Sequence, residues 1–302
     1  MANTAVADLE SGLTPRAQLA QRYGLKVAGE PPSLGAYARQ LWAYRHFMSA
    51  YSRAKVASSF SNTQLGQLWQ VLTPLTNAAV YYLIFGVIVA QDRHVPNFIA
   101  YLCTGIFIFT FTQSAALQGT SAITGNLGLI RALHFPRAAL PITVTLVQFQ
   151  QLLMSMLVLA AIVLATGEPI TFRWLLIAPT LLLQSIFNIG LTMIMARIGS
   201  KVTDLKQVMP FVMRAWLYGS GVLYSVTLFA ERLPGWAATA LESNPILVYI
   251  ELARYSLLES AYPDHIASSP TRLWLLAAAW AAAVGFGGFV YFWRGEKEYG
   301  RG

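Results

Sequence analysis

Charged residues are scarce in this sequence of 302 residues: 11% are charged, whereas 56% are hydrophobic, and the mean hydropathy is +0.50. A soluble domain of ordinary composition has about a quarter charged residues. The composition therefore argues against a soluble domain and indicates a chain built for a lipid bilayer. The one cysteine, Cys103, lies within an apolar run, so the sequence offers no disulfide framework and does not constrain the redox compartment.

The residue patterns of common catalytic sites are also missing. The sequence contains no G-x-x-x-x-G-K-[ST] loop for nucleotide phosphates. No pair of carboxylates shares a helix face in a way that suggests acid–base work. The histidines are far apart and lack the spacing of a metal site; they are His46, His94, His134 and His265. We therefore predict that this chain is not an enzyme and holds no metal or cofactor of its own.

Six apolar runs are long enough to cross a membrane, since about 20 residues at about 1.5 Å each span roughly 30 Å of hydrocarbon. They predict an all-α integral membrane protein with spans near 72–89, 98–117, 142–166, 174–195, 208–229 and 273–293. The interiors of these runs contain no Asp, Glu or His, the groups that ion-coupled carriers keep within their spans. Ion coupling is therefore hard to build here, and uphill transport would need energy from another subunit.

Lysine and arginine are unevenly distributed among the loops. With the N terminus inside, the inner side has 16 basic and 6 acidic residues and the outer side has 5 basic and 7 acidic residues, hence +10 inside and −2 outside. This asymmetry follows the positive-inside rule and predicts a multi-pass plasma-membrane protein with both termini in the cytoplasm. Topology thus accounts for the net charge of +8, and nucleic-acid binding is not predicted. Residues 1–32 are predicted to form a polar cytoplasmic tail, because they lack the apolar core of a signal peptide.

Residues 34–48 have apolar side chains at helical spacing, which predicts an amphipathic helix in the cytoplasmic interface. The apolar positions are Leu34, Tyr37, Ala38, Leu41, Tyr44 and Met48. Arg39 and His46 fall on the opposite face, whereas Arg45 interrupts the apolar stripe and must reach water or an anionic partner. The helix is either a simple anchor or a site that recognises a lipid headgroup.

The loop after the fifth run contains a second apolar stretch, Ile246–Leu258, which is too short to span and includes Glu251 and Arg254. A run of this length is typical of an interfacial or re-entrant helix. Asn244-Pro245 would begin it, with proline at the first helical position, and a short helix at Trp236–Leu241 would precede it. We expect the pair to form an outer cap that dips into the bilayer.

Aromatic residues recur within the predicted spans. They are Tyr81 and Phe85 in the first, Phe107 and Phe111 in the second, and Tyr218 and Tyr224 in the fifth. Individually such rings are typical of lipid-facing packing or an interfacial belt; as a set they could line a path along which sugars stack. Arg214 is the one full charge inside a span boundary, and it either reaches the cytoplasm or faces a wet cavity.

A short basic segment, Asn126–Arg137, lies between the second and third runs and is followed by Pro141. It is too short to cross the bilayer, and it lies on the predicted cytoplasmic side. We call Asn126–Arg137 the central segment and predict that it is the docking point for a motor subunit.

Four stretches together resemble the permease subunits of ABC-2-type polysaccharide exporters, which move lipid-linked O-antigen, teichoic acid or galactan. The stretches are Leu65-Gly66-Gln67-Leu68-Trp69 with Pro74; Asn126-Leu127, Leu129-Ile130-Arg131, Phe135-Pro136-Arg137 and Leu140-Pro141; Asp204 with Ser220-Gly221-Val222-Leu223-Tyr224; and Asn244-Pro245 with Glu251-Leu252 and Arg254. The resemblance covers about residues 35–298 and implies one ABC-2-type transmembrane domain over 33–302. Many relatives have proline where Gly221 stands.

The resemblance implies a homodimer with six spans per copy that docks two separately encoded ATP-binding cassette subunits, which bind ATP and Mg²⁺. The residues it assigns to coupling are Asn126, Leu129, Ile130, Arg131, Phe135, Pro136 and Arg137. The substrate path would follow the six aromatic residues named above. The outer cap would include Asn244, Glu251 and Arg254.

The substrate that this reading favours is a polyprenyl-pyrophosphate-linked glycan. Its pyrophosphate would be met near Arg39, Arg45, Arg53 and Lys55, because basic side chains at the cytoplasmic surface suit phosphate. Sixteen arginines against five lysines, together with abundant alanine, suggest a GC-rich source, and with it the actinobacterial exporter of lipid-linked galactan. The alternatives are an ABC-2 exporter of drugs or small lipids and a membrane scaffold that transports nothing.

Overall fold

A computed structural model describes residues 33–59, 66–88, 95–133, 135–227, 234–266, 268–296 and 299. The predicted polar tail, 1–32, lies outside these ranges. The described residues form helices and turns without strands, which confirms the predicted all-α class. Among these residues, five helices are long and apolar enough to cross a membrane.

The α-helices, in chain order, are α1 (Leu34–Ala43), α2 (Arg45–Ser59), α3 (Trp69–Tyr81), α4 (Phe98–Gly119), α5 (Leu127–Ala132), α6 (Ala139–Ala165), α7 (Ile177–Lys201), α8 (Leu205–Tyr218), α9 (Gly235–Glu242), α10 (Pro245–Leu257) and α11 (Pro270–Arg294). Short 3₁₀ turns at Gly66–Leu68, Thr124–Asn126 and Phe172–Leu176 precede α3, α5 and α7, and a π-helix, Tyr82–Ile88, extends α3. The candidate spans are Val71–Ile88, Phe98–Gly119, Ala139–Ala165, Phe172–Lys201 and Pro270–Arg294.

The predicted fifth span, 208–229, is wrong as a continuous helix. The structure has a helix only from Leu205 to Tyr218, followed by turns through Val226. Fourteen residues extend about 21 Å at about 1.5 Å each, which is less than the roughly 30 Å hydrocarbon core. The break falls at Gly219-Ser220-Gly221, where Gly221 has φ +60°, a conformation that glycine adopts without a steric penalty.

Helix α4 lies at the centre of the bundle, since 78% of its most apolar stretch is buried, whereas the corresponding share for Val71–Ile88 is 12%. The backbones of α7 and α11 approach each other closely. A Cβ added to Gly190 would overlap the Val284 carbonyl, and one added to Gly288 would overlap the Gly190 carbonyl. Small residues permit such close crossings between helices in membranes.

The predicted interface helix is longer than expected and is broken. The structure has α1 and α2 in place of one helix at 34–48, with the break at Tyr44 and the second helix continuing to Ser59. Tyr37, Leu41 and Met48 are buried as the periodicity predicted. Arg45 does not interrupt the apolar face, because the break shifts the helical phase; it is exposed, with its guanidinium 5.4 Å from the Trp42 ring centre.

Candidate functional site

The central segment is a surface turn and helix between two candidate spans. It contains the end of the 3₁₀ turn at Asn126, the two-turn helix α5 and an extended residue, Leu133, before a turn leads into α6. Three of its apolar side chains lie against one of the two buried hydrophobic clusters; they are Leu129, Ile130 and Phe135. Arg131 and Leu133 are exposed, so the segment presents a mixed basic and apolar face outward and an apolar face inward.

The inward face rests on the interface helix α2. The Tyr51 hydroxyl donates to Asn126 Oδ1 at 3.1 Å, while Asn126 Nδ2 donates to the Ala122 carbonyl at 2.8 Å. The Phe135 ring lies 5.6 Å from that of Phe47, which itself stacks on Tyr51. A displacement of the central segment would therefore act directly on α2.

A second connection joins the central segment to the C-terminal end of α11. The backbone N–H of Arg137 donates to the Glu296 carboxylate at 3.1 Å, and the Arg137 guanidinium donates to the Glu296 carbonyl. The Tyr37 hydroxyl donates to the same carboxylate at 2.7 Å and accepts from the Ala138 N–H at 3.1 Å. We call Tyr37, Arg137 and Glu296 the clasp. Pro136, at the same turn, is buried.

Arg131 and Arg137 were predicted to act together, and the structure separates their environments. Arg137 is half-buried and held by Glu296, whereas Arg131 is exposed. Arg137 therefore connects parts of this chain, and Arg131 is the better placed of the two to meet another subunit.

The four predicted phosphate contacts are distributed over two helices. Arg39 lies on α1, and Arg45, Arg53 and Lys55 lie on α2; the arginines are exposed and the lysine is half-buried. Arg53 donates to the Ser49 hydroxyl at 3.0 Å, and the Lys55 ammonium lies 5.9 Å from the Tyr51 ring centre. They form an extended basic surface, not a single pocket.

The residues of the predicted aromatic path lie in separate parts of the structure. Tyr81 and Phe85 are half-buried, and their ring centres lie 6.5 Å apart. Tyr81 is also near enough to interact electrostatically with Tyr218 and with the exposed Arg214. Phe107 and Phe111 are instead buried on α4. The described structure therefore does not place the six rings in one continuous row within a single chain.

Tyr224 follows the break after α8 and is tied to the helix end. Its hydroxyl donates to the Tyr218 carbonyl at 2.9 Å. Half of the Tyr218 side chain is exposed, so this part of the predicted path lies at the surface of the chain.

Phe107 and Phe111 line a cleft between α4 and α6 that the sequence reasoning missed. The cleft has a volume of about 60 Å³ and is partly open. We call it the polar cleft, since its other residues, apart from Leu152, are Thr110, Ser114, Gln148, Gln151 and Ser155. Gln148, Gln151 and Ser155 share one face of α6, and this spacing was the signal available in the sequence.

The predicted outer-cap residues Glu251 and Arg254 lie in the interior of the helix bundle, and both are essentially inaccessible to solvent. The Arg254 guanidinium donates to the carbonyls of Gly221 and Val222 at 2.9 and 3.0 Å and to that of Tyr101 at 3.3 Å. The first two bonds satisfy carbonyls in the break after α8 that have no helical partners, whereas the third joins Arg254 to α4. Helix α10 thus stabilises the break from inside the bundle.

Asn244 supports the same break and also begins α10. Its side chain accepts the Ile246 N–H at 3.2 Å and the Trp216 indole N–H at 3.0 Å, and it donates to the Gly219 carbonyl at 2.8 Å. Pro245 occupies the first turn, as predicted. Within the described ranges, no three metal-binding side chains come together.

Comparisons with known proteins find transport proteins that are similar to this chain. The family model described as ABC-2 type transporter matches residues 48–258. The chain is 25% identical to an O-antigen export system permease protein RfbA of Myxococcus xanthus, over 75% of this chain and 85% of that protein. It is 24% identical to an RfbA of Klebsiella pneumoniae, over 60% and 69%, and 22% identical to the polysialic acid transport protein KpsM of Escherichia coli, over 70% and 80%.

Proposed function

This chain belongs to the ABC-2 type transporter family, and we propose that it is the permease subunit of an ATP-driven polysaccharide exporter. It is a multi-pass membrane protein, with five candidate spans among its described residues. Relatives named as O-antigen export permeases and as a polysialic acid transport protein support a glycan as the substrate. ATP and Mg²⁺ would be bound by a separate ATP-binding subunit, since this sequence has no G-x-x-x-x-G-K-[ST] loop.

The observation that most supports an external motor is the placement of the central segment. Its outward side, with Arg131, is exposed to solvent, and its inward side contacts α2 through Tyr51 and Phe47. The segment also continues directly into α6 and is tied to α11 through Arg137 and Glu296. A push on this short helix would therefore reach three elements of the membrane domain at once.

The finer parts of the proposal concern the assembly and the substrate. Two copies would form the transport path in the plasma membrane, with both termini in the cytoplasm and two ATP-binding subunits below. The substrate would be a polyprenyl-pyrophosphate-linked glycan such as galactan. The basic surface of α1 and α2, which presents Arg39, Arg45 and Arg53 to solvent, would attract its pyrophosphate because guanidinium groups bind phosphate in bidentate geometry.

The test is reconstitution of the full chain with its ATP-binding subunit in liposomes. We expect polyprenyl-pyrophosphate-linked galactan to stimulate ATP hydrolysis, and Arg131→Glu to reduce that stimulation at least about tenfold while membrane insertion is retained, because charge reversal opposes docking. Lys206→Glu, at another exposed cation near the N terminus of α8, is the control and should retain stimulation.

Stimulation by hydrophobic drugs or phospholipids, with none by the lipid-linked glycan, would favour the small-molecule exporter. Hydrolysis that responds to no substrate, together with an inert Arg131→Glu variant, would favour a scaffold.

A further inference from the structure

The polar cleft lies where a membrane protein would otherwise expose only apolar surface. Residues 107–114 lie near the middle of α4 and residues 148–155 near the middle of α6, so the cleft lies near mid-depth in the membrane. Two larger clefts, of about 200 and 320 Å³, are lined almost wholly by apolar side chains, as grooves for lipid chains would be. The polar cleft differs from both in its hydroxyl and amide groups.

Gln148 is the clearest sign that something polar enters the cleft. Its side chain is 3% exposed, and its amide nitrogen has no hydrogen-bond partner among the described residues. A buried amide without a partner costs roughly 1–3 kcal/mol, and hydrocarbon cannot supply one. The hydroxyls of Thr110 and Ser155 already donate to carbonyls of their own helices, so they keep acceptor capacity for an incoming donor.

The cleft has room for a few water molecules or for one hydroxymethyl group, but not for a sugar ring, since one water occupies about 30 Å³ of the liquid. A polymer would therefore pass along its mouth. Phe107 and Phe111 line the wall of the cleft but are buried, so the polymer would meet the amides and hydroxyls. Hydrogen-bond acceptors and donors without a charge are the groups that match a neutral, hydroxyl-rich chain.

We propose that the polar cleft is a water-filled contact site for the hydroxyl groups of a neutral glycan, and that it discriminates against acidic glycans. This inference rests on the proposed function and narrows its substrate class. Its lining residues include no Lys, Arg or His, so a carboxylate at this depth would lose hydration without gaining a cation. The hydroxyls of a neutral sugar lose less hydration free energy than a carboxylate does, and they regain hydrogen bonds from Gln148 and Gln151.

Cysteine labelling tests the cleft without any ATP-binding subunit. The single native cysteine is replaced first (Cys103→Ala), and Ser114→Cys and Gln151→Cys are then introduced separately into the full chain in liposomes. A charged methanethiosulfonate reagent modifies the thiolate, which forms only where water reaches the thiol. Leu157→Cys, at an exposed apolar position of α6, is the control for a lipid-facing site. We expect Ser114→Cys and Gln151→Cys to react at least about tenfold faster than Leu157→Cys.

The same labelling is repeated with millimolar maltoheptaose, a neutral probe, or with an oligogalacturonate of similar length, an acidic one. Maltoheptaose should slow the modification of Gln151→Cys by about threefold or more, as expected for a bound ligand at saturating concentration, and oligogalacturonate should leave the rate unchanged. Slow modification of both cleft variants would overturn the proposal, because the cleft would then be covered by lipid or by a second copy. Rapid modification with equal or no protection by the two probes would also overturn it. These outcomes are distinguishable from a failure of the proposed function, since labelling requires no ATP hydrolysis.

Discussion

At each end of the helix bundle, a glutamate joins several segments of the chain through hydrogen bonds. The two glutamates differ in whether the fold favours their charged form. Glu168, just beyond the C-terminal end of α6, accepts from the Asn97 amide at 2.9 Å, from the backbone N–H groups of Glu259 and Ser260 at 2.9 and 3.3 Å, and from the Ser260 hydroxyl. Burial alone would raise the pKa of Glu168, but these hydrogen bonds outweigh it and hold the pKa below its ordinary value.

Glu296 lies at the opposite end, beside the central segment, and there the effect of burial outweighs that of the hydrogen bonds. Burial raises the pKa of Glu296 above its ordinary value, against the lowering effects of the Tyr37 hydrogen bond and of Arg137. The charged form is thus favoured by the fold at Glu168 and disfavoured at Glu296.

The difference suggests that the Glu168 end and the Glu296 end of the bundle have different roles. Four hydrogen bonds to Glu168 join three separate loops, and Arg254 fixes the nearby break after α8, so this end resists rearrangement. The clasp joins α1, the central segment and α11 around a carboxylate whose charged form is disfavoured by burial, so we expect it to be the easier of the two ties to open. We infer that movement driven by a docked ATPase occurs at the clasp end against a fixed opposite end.

Arg254→Met should produce the largest effect, because it tests the most buried part of the fixed end. The substitution leaves the carbonyls of Gly221 and Val222 without donors and removes the electrostatic attraction between Arg254 and the buried Glu251. Breaking a buried charge interaction costs about 3–5 kcal/mol, so we expect little monodisperse protein in detergent and a sharply lower melting temperature.

Arg272→Met is the matched control for that loss. Arg272 pairs with Glu242 at 2.6 Å, but 42% of its side chain is exposed, and an exposed ion pair contributes at most about 1 kcal/mol. If both variants melt alike, the interpretation of Arg254 as the internal support of the break is wrong.

Glu168→Gln should have an intermediate effect that depends on pH. A carboxyl whose pKa is lower in the folded than in the unfolded state stabilises the fold above the ordinary carboxyl range and loses that contribution as the pH falls through it. Near pH 7, removal of the charged acceptor should cost roughly 1–3 kcal/mol, and the difference in melting temperature from the wild type should shrink as the pH is lowered through about 4.

Glu259→Gln provides the control at the same end, since Glu259 is exposed and its backbone N–H, not its side chain, contacts Glu168. It should melt like the wild type at each pH. A pH-independent deficit in Glu168→Gln would contradict the assignment of a lowered pKa.

The spans were predictable because long apolar runs allow few alternatives, and five of the six runs correspond to candidate spanning helices. The break after α8 was not predicted, although Gly219 and Gly221 mark it, because its support comes from Arg254 and Asn244, residues more than twenty positions away. The helix that contains Arg254 was predicted to be part of an outer cap that dips into the bilayer, and no role in supporting the break was predicted. The burial of Arg254 depends on three backbone carbonyls that only the packed chain brings to it.

The candidate site, too, was predictable from the sequence only in part. The central segment was predictable as a surface helix, because its composition and its place between two spans are local features. The role of Arg137 was not, because its partner Glu296 is 159 residues away. Gln148 and Gln151 share a helix face that the sequence shows, but the residues of α4 that complete the polar cleft become apparent only when the two helices are packed together.

Glu296→Gln should have the smallest effect and the opposite pH dependence from Glu168→Gln. Because the pKa of Glu296 is higher in the folded than in the unfolded state, the wild-type fold gains stability from this group below the ordinary carboxyl range and loses it as the pH rises through the folded-state pKa. An uncharged amide can still accept from the Arg137 N–H, so the variant should melt within a few degrees of the wild type and be equal or more stable at pH 8. Asp204→Asn, at an exposed acid on the same side, should show neither trend. A Glu296→Gln variant that is destabilised most at high pH would mean that the clasp is held by a favourable charge, and both ends of the bundle would then be equally fixed.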